Sequence, residues 1–248
     1  MSSRKEIIFG KICNIKVAID YSWFWLFLLM SWTFGAKQLP LSVPGMPSLT
    51  YVIYGFFGSI LFFISIALHE LAHVLVAKTN RIEIKKISLF IFGGIHVVSK
   101  EAAISRAELK IAVIGSIVSC VIGMLQILWA NYFAREDDLI ISSLLQLIGK
   151  INIFFALFNL LPGYPLDGGR ALKAILSLKN NNPSYSIGIV NSVSQIIFSL
   201  IILIGFLFAI FVNTVSGLWA IVIGFILLQV SRQKKIKIYP ALLERDSR

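Results

Sequence analysis

Residues 51–77 read YVIYGFFGSILFFISIALHELAHVLVA, an apolar run long enough to cross a lipid bilayer as a helix. Its second half carries His69, Glu70 and His73. Ionisable side chains at bilayer depth are unfavourable by roughly 2.5 to 3.5 kcal/mol each on insertion scales, so three of them in one span indicate a functional site. The alternative is a pair of histidines satisfied within a buried core. The whole chain, however, has 3 histidines, and two of them lie in this run.

The spacing of these histidines fits a metal site. Residues four apart on a helix lie one above the other, so His69 and His73 can present ring nitrogens to one zinc ion, with Glu70 beside them. The pattern H-E-x-x-H on a helix is typical of zinc metalloproteases, in which the glutamate is the general base. The sequence therefore predicts two metal ligands from local geometry alone.

Composition places the chain in a membrane. It has 57% hydrophobic and 14% charged residues among 248, which is typical of a polytopic membrane protein. We predict an all-α membrane protein that forms one domain over residues 1–248, with an N-terminal segment (1–20), a membrane core (21–230) and a basic tail (231–248). Six apolar segments are the predicted transmembrane helices, of which the first and last are short: residues 21–36, 51–77, 109–133, 139–161, 187–211 and 214–230.

The net charge of +11 is explained by membrane topology and not by nucleic-acid binding. Cytoplasmic loops of membrane proteins collect Lys and Arg. With a cytoplasmic N-terminus, the outer loops keep only Lys37 and Arg135, so both termini are predicted to be cytoplasmic. The basic tail can additionally contact anionic lipid headgroups.

A third metal ligand is expected, because a catalytic zinc usually has three protein ligands and one open position. Asp167 is the candidate, in the stretch NLLPGYPLDGGR at residues 159–170. Its prolines and glycines predict a break at the cytoplasmic end of the fourth span, and such backbone at membrane depth needs protein or a water-filled cavity around it. The alternative is a turn that leaves the membrane, with Asp167 as a helix cap.

The loop at residues 81–100 is rich in β-formers and contains Gly93 and Gly94. It predicts a small β-hairpin on the cytoplasmic side, between the second and third transmembrane helices. Its edge could accept an unwound substrate strand. A plain connecting hairpin that covers the mouth of a cavity is the alternative.

Together, the motifs at His69 to His73 and at Asn159 to Gly169 resemble those of the site-2 protease family of intramembrane zinc metalloproteases. The six-span layout and the order of the motifs extend the resemblance over nearly the whole chain, as in the six-span type without CBS or PDZ domains. The resemblance implies that His69, His73 and Asp167 bind one zinc ion and that Glu70 is the general base. It also implies that Asn159 hydrogen-bonds the substrate near the scissile carbonyl, although such an amide is as often used to satisfy backbone groups.

The function implied is hydrolysis of a transmembrane or membrane-proximal segment of another membrane protein, in a bacterial or archaeal cell membrane. A divalent-metal transporter and a catalytically silent membrane chaperone are the rival interpretations. One departure concerns the third span, where family members often carry a Gly-Pro pair with a nearby serine. This chain has Gly115, Ser116 and Ser119 there. Lys150, inside the fourth span, is expected to snorkel or to form an interior pair.

Overall fold

A computed structural model describes residues 6–12, 15–82, 84–90, 93–98, 105–135, 138–180 and 183–246. The described elements, in chain order, are β1 (Glu6–Ile12), β2 (Ile15–Asp20), α1 (Tyr21–Thr33), a π-helical turn (Phe34–Gln38), α2 (Leu39–Ser42), α3 (Ser48–Thr79), β3 (Ile84–Phe90), β4 (Gly93–Val98), α4 (Ser105–Arg135), α5 (Leu139–Asn159), α6 (Asp167–Asn180), α7 (Pro183–Phe211) and α8 (Thr214–Asp246). They form two compact units. The first unit comprises Met1–Ala103 and Ile114–Leu157, and the second comprises Ile104–Val113 and Phe158–Arg248.

Among the described residues, four helices are long and apolar enough to cross a membrane. They span Ser48–Thr79, Arg106–Arg135, Leu139–Asn159 and Tyr185–Phe211. These ranges coincide with the second, third, fourth and fifth predicted spans, so the prediction of a helical, multi-pass membrane protein is confirmed. The first predicted span lies in α1 and the π-helical turn, and the sixth lies in α8, whose apolar part, Ser216–Arg232, is shorter.

The first unit also contains a four-stranded sheet in the order β1-β2-β3-β4. β1 and β2 are antiparallel, β2 and β3 are parallel, and β3 and β4 are antiparallel. Strands β3 and β4 occupy the stretch where the sequence predicts a hairpin. The sequence interpretation missed β1 and β2, which lie in the predicted N-terminal segment.

The core of the first unit lies between α3, α5 and the helical run at residues 21–42. Aromatic side chains supply much of it: Phe63 packs edge-on against Trp23 and Phe27, with ring centroids 4.6 and 5.5 Å apart. Glycines allow close helix approach, because a Cβ at Gly55 would lie 2.8 Å from the Ser31 carbonyl oxygen. The buried members of this core are Phe34, Leu39, Tyr51, Phe62, Phe63, Ile66, Ile140, Leu144 and Ile148. This packing fixes α3, the helix that carries the two histidines.

The second unit is built on the helical hairpin of α7 and α8. Small residues bring these helices together, since a Cβ at Gly205 would lie 3.0 Å from both the Cβ of Ala220 and the carbonyl oxygen of Gly217. Its core includes Leu166, Phe198, Leu227 and Leu228. Helix α8 continues to Asp246, so the predicted boundary between membrane core and tail at residue 230 is not a helix end.

Candidate metal centre

His69 and His73 lie on α3, in the first unit, and their rings meet. The Nε2 atoms of the two imidazoles are 3.1 Å apart, and both side chains are buried. The ring planes are nearly perpendicular, at 79°. The sequence predicts that the two histidines present ring nitrogens to one point. They do so, because residues four apart on a regular helix lie on the same face. Glu70 follows His69 on the same helix and is also buried.

Helix α4 supplies the surroundings of the pair within the same unit. The Ser119 hydroxyl lies 2.9 Å from Nδ1 of His69. Gly115, one turn earlier, faces both rings: a Cβ there would lie 2.8 Å from Nε2 of His69 and would overlap Nε2 of His73. Phe155 of α5 packs edge-on against the His69 ring, with centroids 5.2 Å apart.

Gly115 allows both imidazole rings to lie close to α4. Both Nε2 atoms are too near to admit a Cβ at Gly115, so the absence of a side chain there lets two imidazole donors converge. Imidazole nitrogen is a good ligand for zinc and for neighbouring transition metals. Within the first unit, the geometry therefore suits a metal with two histidine ligands.

A buried polar network holds α3 one turn before His69. The Asn152 amide on α5 donates to the Ser65 hydroxyl on α3, at 3.2 Å, and to Oε1 of Gln126 on α4, at 2.8 Å. All three side chains are buried. Interhelical bonds of this kind are the usual way in which polar side chains lock membrane helices together. They fix α3 against the other two helices close to the histidine pair.

Asn159 and Asp167 lie in the second unit, on either side of the predicted break. α5 ends at Asn159 and α6 begins at Asp167, so the interruption lies where the prolines and glycines place it. The segment between them folds back on the start of α6, because a Cβ at Gly169 would lie 2.5 Å from the Gly163 carbonyl carbon. The Tyr164 amide donates to the Ser194 hydroxyl of α7, at 2.8 Å, which anchors the segment.

Asp167 is the first residue of α6, and its carboxylate lies 3.6 Å from a guanidinium nitrogen of Arg170. A carboxylate in the first turn of a helix interacts favourably with the helix dipole. This is the position expected of a cap, and it also presents a carboxylate at the start of a helix. Asn159 is buried, and within the described residues its Nδ2 has no hydrogen-bond partner.

Three residues near the histidines were not assigned a role from the sequence: Gly115, Ser119 and Phe155. The third-span pattern drew attention to the first two, but their contact with His69 depends on how α3 and α4 pack. Lys150 is exposed on α5, and no ion pair is found for it among the described residues. The structure thus favours snorkelling over an interior pair within this part of the chain.

A family model described as peptidase family M50 matches residues 118–204. The structure is similar to that of the site-2 protease from Methanocaldococcus jannaschii, with a TM-score of 0.62 and 26% identity, over 92% of this chain and 94% of that one. The chain is thus similar in sequence and in fold to the site-2 protease family. The matched residues include α5 and the segment from Asn159 to Asp167.

Two curated relatives agree with this similarity. Protein sll0528 of Synechocystis, named as a candidate zinc metalloprotease, is 34% identical over 89% of this chain and 57% of its own length. Rip3 of Mycobacterium tuberculosis, named in the same way, is 29% identical over 95% of this chain and 60% of its own length. The chain therefore spans about three-fifths of the length of these relatives.

Proposed function

We propose that this chain is an intramembrane zinc metalloendopeptidase, which hydrolyses peptide bonds in or near the transmembrane segments of membrane-protein substrates. The observation that carries the proposal is the buried histidine pair on a span-length helix, with Nε2 atoms 3.1 Å apart. The names of the relatives support zinc as the metal, since sll0528 and Rip3 are both named as candidate zinc metalloproteases.

The proposed ligands of one zinc ion are His69, His73 and Asp167. Each offers one atom of the kind that ligates zinc: a ring nitrogen from each histidine and a carboxylate oxygen from the aspartate. Three protein ligands leave one coordination position open, as in catalytic zinc sites. The fit of the histidine pair supports two of these ligands, and the family motif at residues 159–169 supports the third.

Zinc, when bound, lowers the pKa of a water molecule to about 7 and polarises the substrate carbonyl. Glu70 takes a proton from the attacking water and returns it to the leaving amine, which is the work of a carboxylate general base and acid. Asn159 donates from Nδ2 to the developing oxyanion. Its support is that this buried donor has no partner within the described residues, as expected of a group that is reserved for substrate.

The proposal includes six spans with both chain ends in the cytoplasm. The helical run at residues 21–42 and the apolar part of α8 are the first and last spans. Exposed Trp25 and Trp32 support the first one, and Lys37 lies 5.0 Å from the Trp32 ring, as expected of a side-chain pair at a membrane interface. The bias of Lys and Arg toward the inner loops supports the orientation.

The sheet, placed by this topology on the cytoplasmic side, is proposed to hold the substrate. A transmembrane helix resists hydrolysis, because its carbonyl groups are hydrogen-bonded and shielded. Strands β1 and β4 are the outer strands of the described sheet, and an outer strand offers unpaired backbone groups to an unwound segment. Release of a membrane-anchored regulator would be one outcome of such cleavage.

The test compares cells that produce the native protein, Glu70→Gln or Glu108→Gln. Glu108 is a matched control, because the same change there removes a carboxylate that pairs with Lys173 at 3.4 Å, within the second unit. Quantitative proteomics of the membranes should show single-pass proteins that accumulate only with Glu70→Gln. Peptides from those proteins should be cleaved about 10²- to 10⁴-fold more slowly by purified Glu70→Gln. Its zinc content should be unchanged, because both histidines remain.

Two results would contradict the proposal. One is that no membrane protein accumulates and that the purified native protein cleaves no helical peptide. The other is uptake of zinc by vesicles that contain the protein, without proteolysis, which would favour a metal transporter.

A further inference from the structure

Ser119 contacts Nδ1 of His69, the ring nitrogen that is not proposed to bind zinc. Its Oγ lies 2.9 Å from Nδ1 of His69, and the two residues are 50 positions apart in the chain. Ser119 is fully buried, with 0% exposure, and His69 is 2% exposed. The contact joins α4 to α3 within the first unit and is shielded from solvent.

The tautomer of His69 decides whether this ring can bind a metal. A neutral imidazole carries one proton, on either Nδ1 or Nε2, and the nitrogen without a proton is the ligand. The Nε2 atoms of His69 and His73 are the nitrogens that meet, at 3.1 Å, next to Gly115. For both to ligate one metal ion, each ring must therefore carry its proton on Nδ1.

We propose that Ser119 is a positioning residue for the metal site, which holds His69 in the tautomer and orientation that expose the Nε2 lone pair. The hydroxyl oxygen accepts the hydrogen bond from Nδ1–H of His69. Partners of this kind behind metal-bound histidines orient the ring and raise its basicity. The inference rests on the proposed function for the identity of the metal, and it assigns to α4 a part in building the site.

A hydroxyl is suited to this position, because it can either accept or donate. When His69 carries its proton on Nε2, that proton can bond to Nε2 of His73, and Ser119 donates to Nδ1 instead. Rotation of the Ser119 hydroxyl therefore keeps a hydrogen bond to Nδ1 of His69 both with and without metal. An alanine at position 119 would leave Nδ1 without this partner in either state.

The experiment measures zinc affinity of the purified full chain in detergent, by competition with a chromogenic chelator. We expect Ser119→Ala to weaken zinc binding about 10- to 100-fold, the range found when such partners are removed. Ser116→Ala is the matched control: Ser116 is equally buried on the same helix, and within the described residues its Oγ has no hydrogen-bond partner. We expect its zinc affinity to equal that of the native protein.

A second pair of variants guards against a general effect on folding. Ser119→Thr and Ser119→Val have nearly the same shape and differ in the hydroxyl, so Thr should bind zinc more tightly than Val. The third measurement is the tautomer itself. The chain has 3 histidines, so ¹⁵N-labelled histidine should give few ring signals. Those of His69 should indicate Nδ1–H in the zinc-loaded native protein and a mixture of tautomers in Ser119→Ala.

Equal zinc affinity of Ser119→Ala and Ser116→Ala would overturn the inference, as would equal affinity of the Thr and Val variants. The outcome for the proposed function is separate. If the native protein binds zinc with the expected dependence on Ser119 but cleaves no membrane protein, the protease proposal fails and the positioning role stands. If the native protein binds no zinc, both fail.

Discussion

Gly115→Ala should remove the metal while changing the fold little. The added Cβ would lie 2.6 Å from Cε1 of His73 and 2.8 Å from Nε2 of His69, whereas ordinary contact begins at 3.4 Å. Nε2 of His73 lies nearer still, so the His73 ring must retreat by more than about 0.8 Å and the His69 ring by about 0.6 Å. Ligand distances in metal sites are held within about 0.2 Å, so both displacements exceed what coordination tolerates.

The expected result is a loss of zinc affinity of at least about 100-fold, because the change displaces two ligands and not merely their partners. Stability should respond much less. Overpacking in a helical core is unfavourable by about 1 to 3 kcal/mol, and replacing a helical glycine by alanine offsets up to about 1 kcal/mol of this. The assay is zinc affinity by chelator competition, together with thermal unfolding of the same sample.

Two further glycines serve as controls. A Cβ at Gly123, also on α4, would lie 2.7 Å from the Gly149 carbonyl oxygen, away from the histidines. Gly123→Ala should lower the unfolding temperature and leave zinc affinity unchanged. Gly188→Ala on α7, where nothing lies within 4 Å of the added atom, should change neither. If Gly115→Ala binds zinc as tightly as the native protein, the reasoning about the space beside the histidines is refuted.

Two other predictions concern the scaffold. The Tyr51 hydroxyl donates to the Val43 carbonyl at 2.6 Å, so Tyr51→Phe should lose about 1 to 3 kcal/mol of stability and keep its zinc affinity, as measured by thermal unfolding in detergent. The exposed Tyr132→Phe is its control, and equal unfolding temperatures would contradict the assignment. A double-mutant cycle with Asn152→Ala and Gln126→Ala should give a coupling of about 0.6 to 1.7 kcal/mol, the range for hydrogen bonds between membrane helices. Strict additivity would show that their 2.8 Å contact contributes nothing.

The helical membrane core could be predicted from the sequence, because length and apolarity are local properties. α3 covers the predicted span at residues 51–77 and extends it to Ser48–Thr79. The break between Asn159 and Asp167 was predicted for the same reason, since proline and glycine act on their own backbone. The boundary between membrane core and basic tail at residue 230 stays a prediction. Helix α8 crosses it and ends at Asp246, because polar residues can continue a helix that apolar residues began.

Strands β1 and β2 were missed, although the sequence contains a signal for β2. Ile15, Val17 and Ile19 alternate with Lys16, Ala18 and Asp20, as expected of a strand. β2 pairs with β1 on one side and on the other side, in parallel, with β3, which begins only at Ile84. Pairing between segments so far apart depends on how the intervening helices place them, and no local pattern contains that information.

The sequence alone determined the pairing of His69 with His73, because the 3.6-residue period of a helix brings residues four apart onto one face wherever the helix lies. The tertiary structure decided which side chains of the neighbouring helices contact that pair. Two serines on α4, Ser116 and Ser119, are three residues apart, and within the described part of the chain only the second hydrogen-bonds to a histidine. That choice depends on the rotation and axial position of α4 against α3, which are fixed by close packing at residues such as Gly115.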